Sequence, residues 1–124
     1  MAINVDSVAG QVLDAFKSIL GQLAGDEAKA AQAQALALAQ VLATVEAEHA
    51  AGALNDAQAQ DLLEGARDDA DAGLQGDAGI AELAAHSALT AGLKVLESVA
   101  LGATGLGWLQ PILDNVIADV GLGV

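Results

Sequence analysis

Ala31-Gln32-Ala33-Gln34-Ala35-Leu36-Ala37-Leu38-Ala39-Gln40-Val41-Leu42-Ala43-Thr44-Val45-Glu46-Ala47-Glu48-His49 is the run that decides the fold. Its Ala-Gln opening alternates with the period of a strand, yet alanine is the strongest helix former and a poor strand residue. Ala31, Ala35, Leu38, Leu42, Val45 and His49 recur at spacings of 4, 3, 4, 3 and 4, a heptad seam that starts with alanine and widens to leucine. The pattern predicts a helix from Asp26 to Gly52, with Asp26 as its cap and Glu27 at the positive end of the helix dipole. Such a seam needs a partner helix lying close at its alanine end.

Upstream, Val5, Val8, Val12, Phe16, Ile19 and Leu23 recur every three or four residues, which predicts an amphipathic helix from Val5 to Leu23. Asn4 or Asp6 is its cap and Gly25 its stop. Downstream, Asn55 is a cap for a third helix from Asp56 to Ala72, with Ala59, Leu62, Leu63, Ala66 and Ala70 on one face and acids on the other. Gly73, Gly76 and Gly79 then predict a break or hinge over 73–79. A fourth helix from Asp77 to Leu101 carries Ile80, Leu83, Ala84, Ala88, Ala91, Val95 and Val99, and grows apolar on nearly every side beyond Ala88. Gly102, Gly105 and Gly107 end it. Pro111 suits the first turn of a last helix bearing Ile112, Leu113, Val116, Ile117 and Val120. Gly121-Leu122-Gly123-Val124 reads as a frayed or partner-held tail.

With almost no strand signal and no internal repeat, these segments predict an all-α fold: four to five helices separated by Gly-rich breaks, as a helical bundle or an array of helical hairpins. The expected organisation is one helical domain over residues 1–124, with an apolar C-terminal segment over 88–124. Thirty of the residues are alanine and the only aromatics are Phe16 and Trp108, so nineteen leucines, ten valines and five isoleucines must supply most of the buried area.

The net charge of −13 sets 17 acids against Lys17, Lys29, Arg67 and Lys94, which argues against direct nucleic-acid binding because phosphate recognition needs clustered cations. Asp outnumbers Glu eleven to six, a bias that either function or a salty habitat would produce. Without cysteine there is no disulfide, thiolate nucleophile or thiolate metal site. Met1-Ala2-Ile3-Asn4-Val5-Asp6 lacks the basic start and apolar stretch of a secretory signal, so the expected location is intracellular or within a virion.

Glu46 and His49 form a Glu-x-x-His pair on one helical face, the spacing by which bundles present ligands to iron or manganese. A di-metal site needs a second such pair, and the other histidine, His86, follows Glu82 by four residues, so the expected role of His49 is packing or capping, with no cofactor. Asp71 to Glu82 matches a twelve-residue calcium loop at Asp71, Gly76 and Glu82, but Gly73, Gln75 and Ala78 stand where ligands or a larger apolar residue belong. Ser7, Ser18, Ser87 and Ser98 lack a nucleophile context, and the glycines from Gly102 to Gly107 match neither phosphate-binding fingerprint. The expectation is a protein that is not an enzyme. Trp108 reads equally as a core residue closing the bundle or as an anchor for a partner or a membrane interface.

From Ser98 to Leu113 the chain is uncharged for sixteen residues, whereas a spanning helix needs about 20 and disfavours an internal proline. Extending it backwards brings in Glu97 and Lys94, spaced for an i,i+3 pair. The expected interface residues are Leu89, Leu93, Leu96, Leu101, Leu106, Trp108, Leu109, Ile112, Leu113, Val116, Ile117 and Val120. Val8-Ala9-Gly10-Gln11-Val12-Leu13-Asp14-Ala15-Phe16 followed by Asp26-Glu27-Ala28-Lys29-Ala30-Ala31-Gln32-Ala33 resembles the openings of small helical bacteriophage proteins, some virion-associated and some holin-like. The resemblance implies a virion or assembly component and transfers no residue roles. The expected function is therefore a non-catalytic structural protein working by helix packing in a multi-copy complex, a homo-oligomer or a multi-component assembly. The alternatives are a membrane-active helical protein inserting about residues 88–113, and a bundle metalloprotein.

Overall fold

Asn4 sets where the first helix begins, because its Oδ1 accepts a hydrogen bond from the Ser7 backbone N–H at 3.0 Å and so satisfies one of the free donors of the opening turn. In the computed structural model, which describes residues 3–23, 25–76, 79–102 and 105–120, that helix is α1, Val5–Leu20. It stops at Gly21 rather than running to Leu23. Gly21 takes φ +79, a left-handed conformation that costs glycine little, and its N–H closes on the Lys17 carbonyl at 2.8 Å.

The next helices are α2, Asp26–Ala50, and α3, Asp56–Gly76. Asp26 is the first residue of α2 and not its cap; Gly25 at φ +62 stands in the cap position, without a side-chain bond. Asn55 does cap α3, in a reciprocal box: Gln58 N–H donates to Asn55 Oδ1 at 2.9 Å and Asn55 N–H donates to Gln58 Oε1 at 3.0 Å. The remaining helices are α4, Glu82–Gly102, and α5, Leu109–Ala118. The expected start of α4 at Asp77 lies outside the described residues, as does the tail from Gly121 to Val124. Pro111 is the third residue of α5, where the missing N–H has no intrahelical partner to lose.

The architecture is an all-α bundle. α1 packs between α2 and α4, α3 packs on α2, and α4 returns to α3, so the first four helices form a ring that α5 covers by lying across α3 and α4. The seam of α2 is buried from Ala31 through Ala35, Leu38 and Leu42 to Val45, with Ala39 added beside it. Its alanine end meets the close neighbour that it requires. Gly73 of α3 lies there against the Gln34 side chain, so this glycine is inside a helix and the chain leaves α3 only after Gly76.

Two faces differ from the sequence expectation. On α3 the buried set is Ala59, Leu63, Arg67, Ala70, Gly73 and Leu74, while Leu62 is exposed and Ala66 only partly covered. On α4 the buried set is Ala85, Ala88, Leu89, Gly92, Leu93, Leu96 and Ala100. Ile80, Ala84, Ala91, Val95 and Val99 are half-covered, and Leu83 is 80 % exposed. A helix apolar on nearly every side offers no unique stripe, and the face that wins is the one that buries the leucines and leaves Gly92 for its neighbour. Ile19, expected inside, is likewise exposed at the end of α1.

Gly92 decides how near α1 and α4 can come. A Cβ placed there would stand 2.6 Å from Phe16 Cε1 and 3.1 Å from Val12 Cγ1, both on fully buried side chains. Gly92→Ala is therefore expected to destabilise the protein by about 1–3 kcal/mol through overpacking. Gly73→Ala meets only the movable end of Gln34, and is expected to be neutral or to stabilise by up to about 1 kcal/mol through helix propensity. Urea unfolding of the two variants beside the parent checks the contrast.

Candidate functional site

The polar side chains buried or half-buried in this fold sit where helices meet. His49, in the last turn of α2, places Nε2 2.8 Å from Asp56 Oδ1 in the first turn of α3. An ionised aspartate only accepts, so Nε2 carries the proton. The same imidazole stacks on Trp108, with ring centroids 3.5 Å apart and planes 12° from parallel, which brings the start of α5 over the α2–α3 turn. Trp108 is half-buried in this contact. It is a lid on one end of the bundle and packs within its own chain.

Glu46 does not join His49 at a shared ligand position. Its Oε2 accepts from the Ile3 N–H at 3.2 Å, holding the segment ahead of α1 against the end of α2. Among the described residues no group of three or more His, Cys, Asp or Glu side chains gathers in a way that could hold a metal.

Asp71 and His86 form a second tie, from α3 to α4. His86 Nε2 lies 3.1 Å from Asp71 Oδ2, both side chains are mostly covered, and Gln75 Nε2 donates to Asp71 Oδ1 at 3.0 Å. Asp71 to Gly76 are helical and Asp71 is engaged by two partners, an arrangement different from the loop that the calcium spacing would require.

Arg67 is the residue that sequence reasoning missed. It is 7 % exposed, and its Nη1 donates to the Val116 carbonyl of α5 at 3.2 Å while its Nε donates to Asp68 Oδ1 at 3.0 Å. Val116 lies in the last turn of α5, where unpaired carbonyls and the negative end of the dipole favour a cation. The signal was present: Arg67 occupies the position between Leu63 and Ala70 at helical spacing, on the apolar face of an otherwise acidic helix. Asn115 Nδ2 donates to Gln60 Oε1 at 3.4 Å on the same α3–α5 contact.

Glu97 faces Asp114 across the α4–α5 contact instead of pairing with Lys94. A hydrogen bond between the two carboxyls requires a shared proton, so Asp114 raises the Glu97 pKa above the ordinary glutamate value. Burial raises it further, as does repulsion from the Asp114 charge, and Lys94 acts in the opposite direction. Glu97 Oε2 is buried without a donor, the cost that protonation relieves.

The residues expected at an interface are mostly used by the chain itself. Leu89, Leu93, Leu96, Leu106, Leu109, Ile112, Leu113 and Val116 are buried in its core, Ile117 and Val120 pack partly against it, and only Leu101 is open. An apolar C-terminal third is what α4 and α5 need to close on α1 and α3, so that surface is consumed in folding. The segment 88–113 is split by the break between α4 and α5, and among the described residues no helix is long and apolar enough to cross a membrane. Comparison with known proteins finds no matching family, curated protein or solved structure.

The raised Glu97 pKa has a defined sign. The folded state holds the Glu97 proton more tightly than the unfolded chain, so this group's contribution is full at acid pH and is lost as pH rises through the folded pKa. Glu97→Gln keeps a donor for Asp114 and removes the repulsion. The variant is expected to melt above the parent at neutral pH, with the difference shrinking towards acid pH, as followed by circular dichroism.

Proposed function

We propose that this chain is a non-catalytic structural protein that acts by helix packing within a multi-copy assembly, such as a phage particle or tail component. The observation that carries the proposal is how the reactive side chains are spent. Both imidazoles and the single guanidinium, His49, His86 and Arg67, tie one helix to another, so each of these three side chains is engaged within the chain. Five large apolar side chains are open to a neighbour on this otherwise acidic surface: Ile19 on α1, Leu36 on α2, Leu62 on α3, and Leu83 and Leu101 on α4. Leu83 stands at the edge of a shallow depression of about 540 Å³, shared with His86, Ser87, Thr90 and Val120. The resemblance of the first two helices to small phage proteins supplies the setting.

Native mass tests the proposal. Sedimentation equilibrium across a wide concentration range is expected to return a multiple of the 12.2 kDa chain. A monomer at every concentration, in the absence of other proteins, would contradict self-assembly as the function.

A further inference from the structure

Leu83, in the first turn of α4, is 80 % exposed, more than any other large apolar side chain among the described residues. It stands at one end of the shallow depression on α4, where His86, Ser87 and Thr90 follow it at helical spacing and Val120 is the facing wall. We propose that this depression is the seat of the chain's own residues 121–124, whose two apolar side chains cover the line from Thr90 to Leu83. The proposal is independent of the multi-copy reading.

The course of the chain leads to the seat. Asp114 of α5 meets Glu97 of α4, and six residues later Val120 lines the depression formed by residues 83–90, so α5 runs back along α4 towards its first turn. The Val120 N–H donates to the Ile117 carbonyl at 3.2 Å, which keeps the end of α5 turned against that wall. From Val120 the sequence continues as Gly121-Leu122-Gly123-Val124, and the same heading leads to Leu83.

Length and pattern fit as well. Thr90 and Leu83 are seven residues apart on α4, about 10 Å at 1.5 Å per residue. Four residues beyond Val120 reach about 13 Å when extended. In an extended segment successive side chains alternate in direction, so Leu122 and Val124 face the depression together while Gly121 and Gly123 leave the outer side bare. Leu122 then lies over Ser87, and Val124 reaches Leu83. The hydroxyls of Ser87 and Thr90 line the seat and offer partners to the backbone of a segment with no neighbouring strand.

Tethering selects this occupant. A segment attached at the wall of its own seat is present there at an effective concentration in the millimolar range, which a free partner must exceed. It is also uncharged, so it meets no repulsion from Glu82 and Asp119, the exposed acids adjoining Leu83 and Val120 in the chain, or from the acidic molecule as a whole. Once seated it removes Leu83 from the surface open to a neighbour, and Ile19, Leu36, Leu62 and Leu101 remain.

The chain has no cysteine, so one introduced thiol reports on the seat alone. Alkylation by iodoacetamide, a neutral reagent, is timed on Ser87→Cys and on Ser87→Cys combined with Leu122→Asn and Val124→Asn, with circular dichroism to verify helicity. Ser7→Cys, exposed on α1 outside the depression, carries the same pair of changes as the control. The Ser87→Cys thiol is expected to react at least fivefold more slowly with Leu122 and Val124 in place, at every protein concentration, and the Ser7→Cys thiol at one rate throughout. Equal rates for the two Ser87→Cys proteins overturn the seat. Protection that fades on dilution assigns the contact to another copy and overturns it equally.

Discussion

The bundle closes where the ring of Phe16 lies against Gly92. Phe16 is the only phenylalanine in the chain and is fully buried, and the helix that it meets offers no side chain at that point. A core built so heavily from alanine has little volume per residue, and density is recovered only if helix axes approach closely. Gly92 lets α1 and α4 do so, which completes the ring α1–α2–α3–α4 and fixes the platform on which α5 lies. The corresponding approach of α2 and α3 uses the alanine end of the α2 seam and Gly73. Small residues set the spacing, and the leucines of α4 and α5 fill what is left.

The polar chemistry follows from that geometry. Once helices are close, the side chains caught between their ends must find partners within the protein, because an unpaired buried polar group is costly. His49 meets Asp56 and stacks on Trp108, His86 meets Asp71, and Arg67 reaches the end of α5. Each links elements adjacent in the bundle. The Glu97–Asp114 contact sets two carboxyls together, and it does so where α5 is laid across α4. The last helix is thus held by one favourable cationic tie and opposed by one acidic pair.

Much of the fold was legible in the sequence because the α2 seam, the α1 periodicity and the Asn4 and Asn55 caps each express a local rule. The α4 face was not. Its apolar residues surround the helix, so periodicity could not choose between the stripe through Ala84, Ala91 and Val95 and the stripe through Leu89, Leu93 and Leu96; packing against Phe16 chose. Gly73 was read as a break because propensity is local, whereas burial of Ala70 and Leu74 on either side carries the helix through it. The polar ties were invisible for a further reason. His49 and Asp56 fall close in sequence, but Asp71 with His86 and Arg67 with Val116 are brought together only by tertiary structure. Most of the residues expected at an interface on α4 and α5 are buried within the chain for the same reason: apolarity marks burial without saying whether the burying surface is one's own.

What the fold leaves over is an acidic outer surface with exposed leucines, and the proposed role in assembly is built on that remainder. All of it presupposes that α1 is an integral wall of the bundle, locked to α4 through Phe16 and Gly92. Native-state hydrogen exchange resolved by residue tests this most directly, because opening free energies rank helices by how firmly each belongs to the cooperative unit. The amides in the middle of α1 and α4 are expected to exchange together, with the slowest set in the protein. Amides of α1 that exchange well ahead of those in α2 and α3 would contradict the account.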